Sequence, residues 1–158
     1  SGTYNRAALQ RAIEHHQAGR LPQAEALYRE ILARDPRCAD ALHLQGVVAL
    51  QAGRCEVAVD LIRRAVVLSK KRAEFHSNLG EAYSGLERLD EAVASFRRAL
   101  ALQPKFPAAL NSLGVVLAAQ HQTDDAVSCY QQAIAADPNY AEAHHNLGNV
   151  FAARGQTE

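Results

Sequence analysis

The chain has 158 residues, and its 17 Lys and Arg residues balance its 17 Asp and Glu residues, so the formal net charge is zero. A neutral chain is a poor match for nucleic acid or an anionic membrane, because both are usually bound through a clear excess of Lys and Arg. The longest apolar runs are also far shorter than the roughly 20 residues that a membrane span needs. We therefore predict that the main partner is neither nucleic acid nor a membrane.

The start of the chain and its cysteines bear on where the protein is found. Ser1 and Gly2 resemble the remnant of a purification tag, so we assign residues 1–4 to a leader and expect a piece of a longer protein. Three cysteines occur at wide spacing: Cys38, Cys55 and Cys129. That pattern suits a reducing compartment better than a disulfide framework, and no signal peptide is visible, so we predict a cytoplasmic location.

From residue 5 onward the dominant pattern is a period of 34 residues. One series of glycines keeps this step: Gly46, Gly80, Gly114 and Gly148. Three further series keep it as well: Ala24, Ala58, Ala92 and Ala126; Tyr28, Ile62, Phe96 and Tyr130; and Ile31, Ala65, Ala99 and Ala133. Four series that share one period indicate a structural repeat.

Each repeat is expected to contain two antiparallel helices of about 13 residues joined by a short turn. The composition favours helix, and no alternating run of β-branched residues predicts a strand. Pro36, Pro104 and Pro138 would end the second helices, whereas Gly19, Gly53 and Gly155 fall in the turns, with His121 replacing the glycine in the fourth repeat. We predict an all-α fold of about nine helices, with full repeats at 5–38, 39–72, 73–106 and 107–140 and a truncated fifth at 141–158.

The repeated Leu-Gly pair, followed by alanine and aromatic positions and a closing proline, resembles the tetratricopeptide repeat. The segments ADALHLQGVVALQAGR, EFHSNLGEAY and YAEAHHNLGNVFAARGQ further resemble the repeats of O-linked N-acetylglucosamine transferases, especially bacterial ones, in which a glycosyltransferase domain follows the repeats. This resemblance implies a right-handed superhelical solenoid. The first helix of each repeat would then line the concave face and the second helix the convex face.

A concave face of this kind is expected to bind a peptide or protein segment. The predicted contact residues are Leu44, Val47, Asn78, Glu81, Asn111, Val115, His145, Asn146 and Asn149. Asn78 and Asn146 share one repeat position, and the transferases that the chain resembles hold an extended peptide backbone with a ladder of asparagines. The same position holds Gln10, Leu44 and Ser112 in the other repeats. Solvated surface asparagines are the alternative.

An apolar strip in the second repeat has two interpretations as well. It comprises Leu44, Val47 and Leu50, which would either contact a partner or pack against the neighbouring helix. No catalytic residue, cofactor or metal site is predicted, because adjacent histidines such as His144 and His145 point about 100° apart on a helix. A clamp for a terminal carboxylate and an RNA-binding face would both need basic side chains along successive first helices. The inner positions instead hold Leu9, Ile13, Leu44, Glu74 and Asn78.

The end of the chain suggests a different role. The fifth repeat offers Leu147, Val150 and Phe151 without a second helix to cover them, so self-association through this helix is predicted. Three functions therefore stay open. They are a non-catalytic scaffold that binds a protein segment, the repeat region of a glycosyltransferase whose catalytic domain is missing, and a self-assembly module.

Overall fold

The computed structural model of the protein describes residues 2–155, which form nine α-helices joined by short turns. In chain order these are α1 (Gly2–Gln17), α2 (Leu21–Arg34), α3 (Ala39–Gln51), α4 (Cys55–Leu68), α5 (Ala73–Gly85), α6 (Leu89–Leu102), α7 (Pro107–Ala119), α8 (Thr123–Ala136) and α9 (Ala141–Ala153). From the second repeat on, each first helix has 13 residues and each second helix has 14. The predicted all-α solenoid of helix pairs is confirmed.

The turn inside each repeat uses one backbone geometry. Gly53 has a φ of 74°, and the N–H of Arg54 donates to the carbonyl oxygen of Ala49 at 2.8 Å. This bond closes the end of α3 in the pattern typical of a helix that stops at a left-handed residue. The same N–H to carbonyl bond, five residues apart, recurs in the other three complete repeats. The turns therefore bring each second helix back antiparallel to the first.

Contact between the two helices of a repeat depends on the glycine series. Gly46 of α3 faces Ile62 of α4, and Gly80 of α5 faces the ring of Phe96 of α6, where a Cβ atom on the glycine would lie 2.7 Å from the ring. Such an approach is open only to a residue without a side chain. The periodic glycines thus mark where the helices of one pair come closest.

The core is shared between repeats. The alanine series Ala24, Ala58, Ala92 and Ala126 is fully buried. One continuous apolar cluster runs from Ala49 to Tyr130 and receives Leu147 and Val150 of α9. A separate cluster joins the first repeat to α3. Each helix pair therefore covers the apolar side of its neighbour, which is how a solenoid gains its stability.

At the start of the chain, helix α1 begins at Gly2, three residues before the predicted first repeat. Tyr4 packs against the cluster that joins the first repeat to α3. Ser1 of the predicted leader and residues 156–158 of the predicted fifth repeat lie outside the described residues. None of the helices in the described range is long and apolar enough to cross a membrane.

Candidate functional site

The first helices of successive repeats lie side by side. Helix α3 contacts α5, α5 contacts α7, and α7 contacts α9, whereas the described second helices make no comparable contact with one another. Closer approach on one side of a stack places that side on the inside of its curve. We call the exposed surface of the first helices the inner face, and all nine predicted contact residues belong to these helices.

Two polar pairs tie neighbouring first helices together. The amide nitrogen of Asn78 lies 2.8 Å from Nε2 of His43, and the amide of Asn146 donates to Oδ1 of Asn111 at 2.9 Å. In both pairs the asparagine follows its partner by 35 residues. One N–H of each predicted ladder residue is therefore used inside the stack.

Asn111 differs most from its prediction as a contact residue, because it is only 5% exposed. Its own amide donates to Oε2 of Glu142 at 3.4 Å while its carbonyl oxygen accepts from Asn146. Buried polar groups are normally satisfied in this way. Asn111 is therefore a buried residue that holds Glu142 and Asn146 in place, and it is not itself exposed on the inner face.

His43 is the inner-face residue that the predicted set missed. Its ring stacks on Phe75 at a centroid distance of 4.3 Å, and it is 6% exposed. Burial lowers the pKa of His43 to about 4, so the ring is neutral near pH 7 and can accept the hydrogen bond from Asn78. His43 and Asn111 share a repeat position, so the two asparagine pairs are formed by equivalent residues.

Glu81 and Glu142 give the inner face its charge. The hydroxyl of Ser112 donates to Oε1 of Glu81. Burial raises the pKa of Glu81, an effect that the Ser112 hydrogen bond opposes and the charge of Glu142 reinforces. Glu142 accepts from Asn111 and from the Tyr140 hydroxyl at 3.4 Å. Neither carboxylate forms an ion pair with a described cation.

The other two acidic residues of these helices share one cation, which offsets part of their charge. Arg72, which precedes α5, lies 3.2 Å from Asp40 and 2.6 Å from Glu74. Helices α3, α5, α7 and α9 contain Asp40, Glu74, Glu81 and Glu142 but no Lys or Arg. The inner face from the second repeat on is consequently acidic around Glu81 and Glu142.

The apolar contact residues are divided between packing and exposure. Leu44 is half-buried against the cluster that joins the first repeat to α3, so the packing interpretation holds for much of its side chain. Val47 is half-buried, whereas Val115 is 45% exposed.

Two polar contact residues of α9 are exposed. The amide nitrogen of Asn149 lies 3.1 Å from Nε2 of His145, so these two side chains are hydrogen-bonded to each other.

Two cavities of about 430 Å³ open between neighbouring first helices. The N-terminal cavity, between α1 and α3, is lined by Ile13, His16, Gln17, Leu44 and Gln51. The C-terminal cavity, between α7, α8 and α9, has Val115, Tyr130, Asn146, Val150 and Arg154 among its lining residues. A volume of this size is in the range that receives a ligand or a side chain. Within residues 2–155 no group of three or more His, Cys, Asp or Glu could hold a metal ion.

Comparison with known families agrees with the repeat geometry. Models of the tetratricopeptide repeat match residues 6–74 and 73–106, and a third model of the repeat matches residues 116–155. The chain belongs to the tetratricopeptide repeat family. No protein with a curated description matches it.

Solved tetratricopeptide structures share the fold. MamA superposes with a TM-score of 0.82 at 24% identity, covering 92% of this chain and 85% of that one. YrrB, described as a TPR protein with an unusual peptide-binding site, gives 0.76 at 24% identity, with 96% and 78% covered. A mutant O-GlcNAc transferase from Thermobaculum terrenum gives 0.78 at 26% identity, with 84% of this chain and 26% of the transferase covered. The transferase is thus one of several similar structures.

Proposed function

We propose that this tetratricopeptide stack is a non-catalytic scaffold whose inner face binds an extended segment of another protein. The observation that carries the proposal is the C-terminal cavity beside Val115, an exposed valine on a surface where most apolar side chains are packed. Exposed apolar surface next to a cavity favours a partner, because covering it removes apolar area from water. The peptide-binding site in the description of YrrB is consistent with this role.

A matched pair of variants tests the inner face. Val115→Asp places a charge beside the C-terminal cavity, and Val67→Asp places one on α4, where the valine is 71% exposed. Affinity capture with the full-length protein should lose its bound proteins with Val115→Asp and keep them with Val67→Asp. Equal capture by both variants would show that partners bind elsewhere.

The glycosyltransferase alternative has less support on the inner face. It rests on the 26% identity with the transferase repeats. A continuous asparagine ladder would have been an independent argument, but Asn78 and Asn146 each use an N–H within the stack. Sequencing the gene beyond residue 158 would decide this alternative.

A cytoplasmic location also belongs to the proposal. It fits the three cysteines, which are free thiols.

A second candidate function is self-assembly through α9. Gly148 has no described atom within 4 Å of a Cβ position, although the equivalent Gly46, Gly80 and Gly114 all face a side chain of a second helix. Leu147, Val150 and Phe151 are only half-buried. In an antiparallel pair of α9 helices, Phe151 of each copy would fill the notch at Gly148 of the other. The arrangement is self-complementary, as a twofold interface requires.

Sedimentation over a range of concentrations tests this candidate. We expect a dimer that dissociates with Phe151→Asp and is unchanged by Val67→Asp on the outer helix α4. A wild-type chain that stays monomeric at high concentration would exclude a stable dimer. A dimer that both variants retain would place the interface outside α9.

A further inference from the structure

The two cavities of the inner face occupy equivalent positions in different repeats. Val115 lies three 34-residue periods after Ile13. The same step of three periods relates four residues of the N-terminal cavity to four residues of the C-terminal cavity. In order, Ile13, His16, Leu44 and Gln51 correspond to Val115, Ala118, Asn146 and Ala153. One type of opening between first helices therefore appears twice, three repeats apart.

The repeat position that links the two cavities is apolar in three repeats and acidic in one. Ile13, Val47, Glu81 and Val115 hold one repeat position in four successive repeats. Three of these residues are apolar, and Glu81 is acidic with Glu142 near enough to affect its titration. A cation from a partner would pair with Glu81 at the position between the two apolar openings.

The spacing of this repeat position along the stack sets the length of a segment that can use both cavities. Neighbouring helices pack roughly 8 to 10 Å apart, so three steps amount to roughly 24 to 30 Å. An extended chain rises about 3.3 Å per residue, so about seven to nine residues cover this distance. Glu81 is one step from Val115, which corresponds to about three residues of extended chain.

We propose that the bound segment is extended and carries two apolar side chains about seven to nine residues apart. A Lys or Arg lies between them, about three residues from the side chain that enters the C-terminal cavity. This inference rests on the proposed function and adds the chemistry of the partner. Charge complementarity favours it, because Glu81 and Glu142 form no ion pair with a described cation and α3, α5, α7 and α9 contain no Lys or Arg. An acidic segment would instead meet two carboxylates without an opposing cation.

Selection from a library of random displayed peptides, long enough to span both cavities, tests the proposal directly. The enriched peptides should share the apolar pair, its spacing and the intervening basic residue. One enriched peptide, labelled with fluorescein, is then measured by anisotropy. Moving its apolar residues four positions closer should weaken binding at least tenfold, since one anchor is lost and a buried leucine contributes about 1.5 kcal/mol or more.

The charge is tested on the protein. Glu81→Gln should weaken binding of the basic peptide by about fivefold to tenfold, as expected of a partly buried ion pair. Glu56→Gln on the outer helix α4 is the matched control and should leave the affinity unchanged. Replacing the basic residue of the peptide by Gln should make Glu81→Gln neutral.

The outcomes separate this inference from the proposed function. Enriched peptides that lose binding with Val115→Asp, but lack the basic residue or the spacing, overturn this inference and leave the inner face as the binding surface. Failure to enrich any peptide, or binding that Val115→Asp does not weaken, overturns both. If Glu81→Gln leaves the affinity unchanged, the proposed pairing of Glu81 with a basic residue of the partner is wrong.

Discussion

Gly114 of α7 lies against the ring of Tyr130 of α8, so close that a Cβ atom at residue 114 would be 2.5 Å from the ring. Tyr130 is only 2% exposed and belongs to the main apolar cluster, so displacing its ring would cost packing, although the ring also borders the C-terminal cavity. Glycine is therefore required here for packing between helices. The same requirement applies to Gly80 and Phe96.

Gly114→Ala is expected to lower the free energy of unfolding by about 1 to 3 kcal/mol, the usual effect of forcing an extra group into a packed core. The loss should occur even though alanine is the better helix former. Urea denaturation followed by circular dichroism measures it. An unchanged midpoint would mean that α7 and α8 can separate without cost.

Gly148→Ala is the matched substitution at the same repeat position of α9. No described atom lies within 4 Å of a Cβ there, so at concentrations where the chain is monomeric we expect a gain of about 0.5 to 1 kcal/mol from the higher helix propensity of alanine. The two variants should thus shift the denaturation midpoint in opposite directions. A destabilised Gly148→Ala protein would indicate that another helix covers this face, and self-association should then weaken with it.

The repeat architecture could be predicted from the sequence because the same physical demand recurs every 34 residues. A glycine and the large side chain that it faces recur together in three repeats, and both series were visible in the sequence. The pairs are Gly46 and Ile62, Gly80 and Phe96, and Gly114 and Tyr130. Gly148 holds the repeat position of Gly114 but belongs to the repeat that was predicted to lack a second helix. No described atom lies within 4 Å of a Cβ there, which agrees with that expectation.

The candidate site was predicted less completely than the fold. Helical periodicity placed Asn78 and Asn146 on the first helices, but it could not identify their hydrogen-bond partners. Those partners, His43 and Asn111, lie 35 residues earlier, so the pairs run diagonally between repeats. A search at the period of 34 compares equivalent positions and therefore passes over such pairs.

The diagonal pairing predicts that Asn78 contributes to stability. Asn78→Ala removes the partner of the buried His43 ring and should lower the free energy of unfolding by about 1 kcal/mol or more. Asn149→Ala, at an exposed position of α9, should stay within about 0.5 kcal/mol of wild type. Equal stability of the two variants would show that the His43 pair adds nothing to the stack.

His43 also predicts how stability depends on pH. Burial lowers its pKa to about 4 from the ordinary value of 6.5, with Asp40 and Glu74 opposing the shift and Arg72 adding to it. As the pH falls below 6.5, the unfolded chain binds a proton at residue 43 before the folded chain does. The contribution of neutral His43 is therefore complete above that pH and is lost as the pH falls towards 4.

The expected loss over this window is about 2 to 3 kcal/mol, and His43→Gln should remove it because glutamine does not titrate. Denaturation of both proteins at several pH values gives the two slopes. Other groups titrate in the same range, so the difference between wild type and variant is the relevant quantity. Parallel slopes would mean that His43 is protonated as readily in the folded protein as in the unfolded chain.

Two turns of the stack carry a side chain where the others have glycine. Glu87 and His121 have φ values of 57° and 62°, and Gly19 and Gly53 hold the equivalent position with values of 75° and 74°. A left-handed conformation costs a residue with a side chain about 1 to 2 kcal/mol, and the greater freedom of unfolded glycine offsets part of any gain. We expect His121→Gly and Glu87→Gly each to raise the free energy of unfolding by about 0.5 to 1 kcal/mol.

The reverse change, Gly53→Ala, should lower the free energy of unfolding by a similar amount. Because the new Cβ atom would meet no atom within 4 Å, the loss would come from the backbone conformation and not from packing. Thermal unfolding of the three variants measures these shifts, and a destabilised His121→Gly protein would show that the His121 side chain contributes more than its backbone conformation costs.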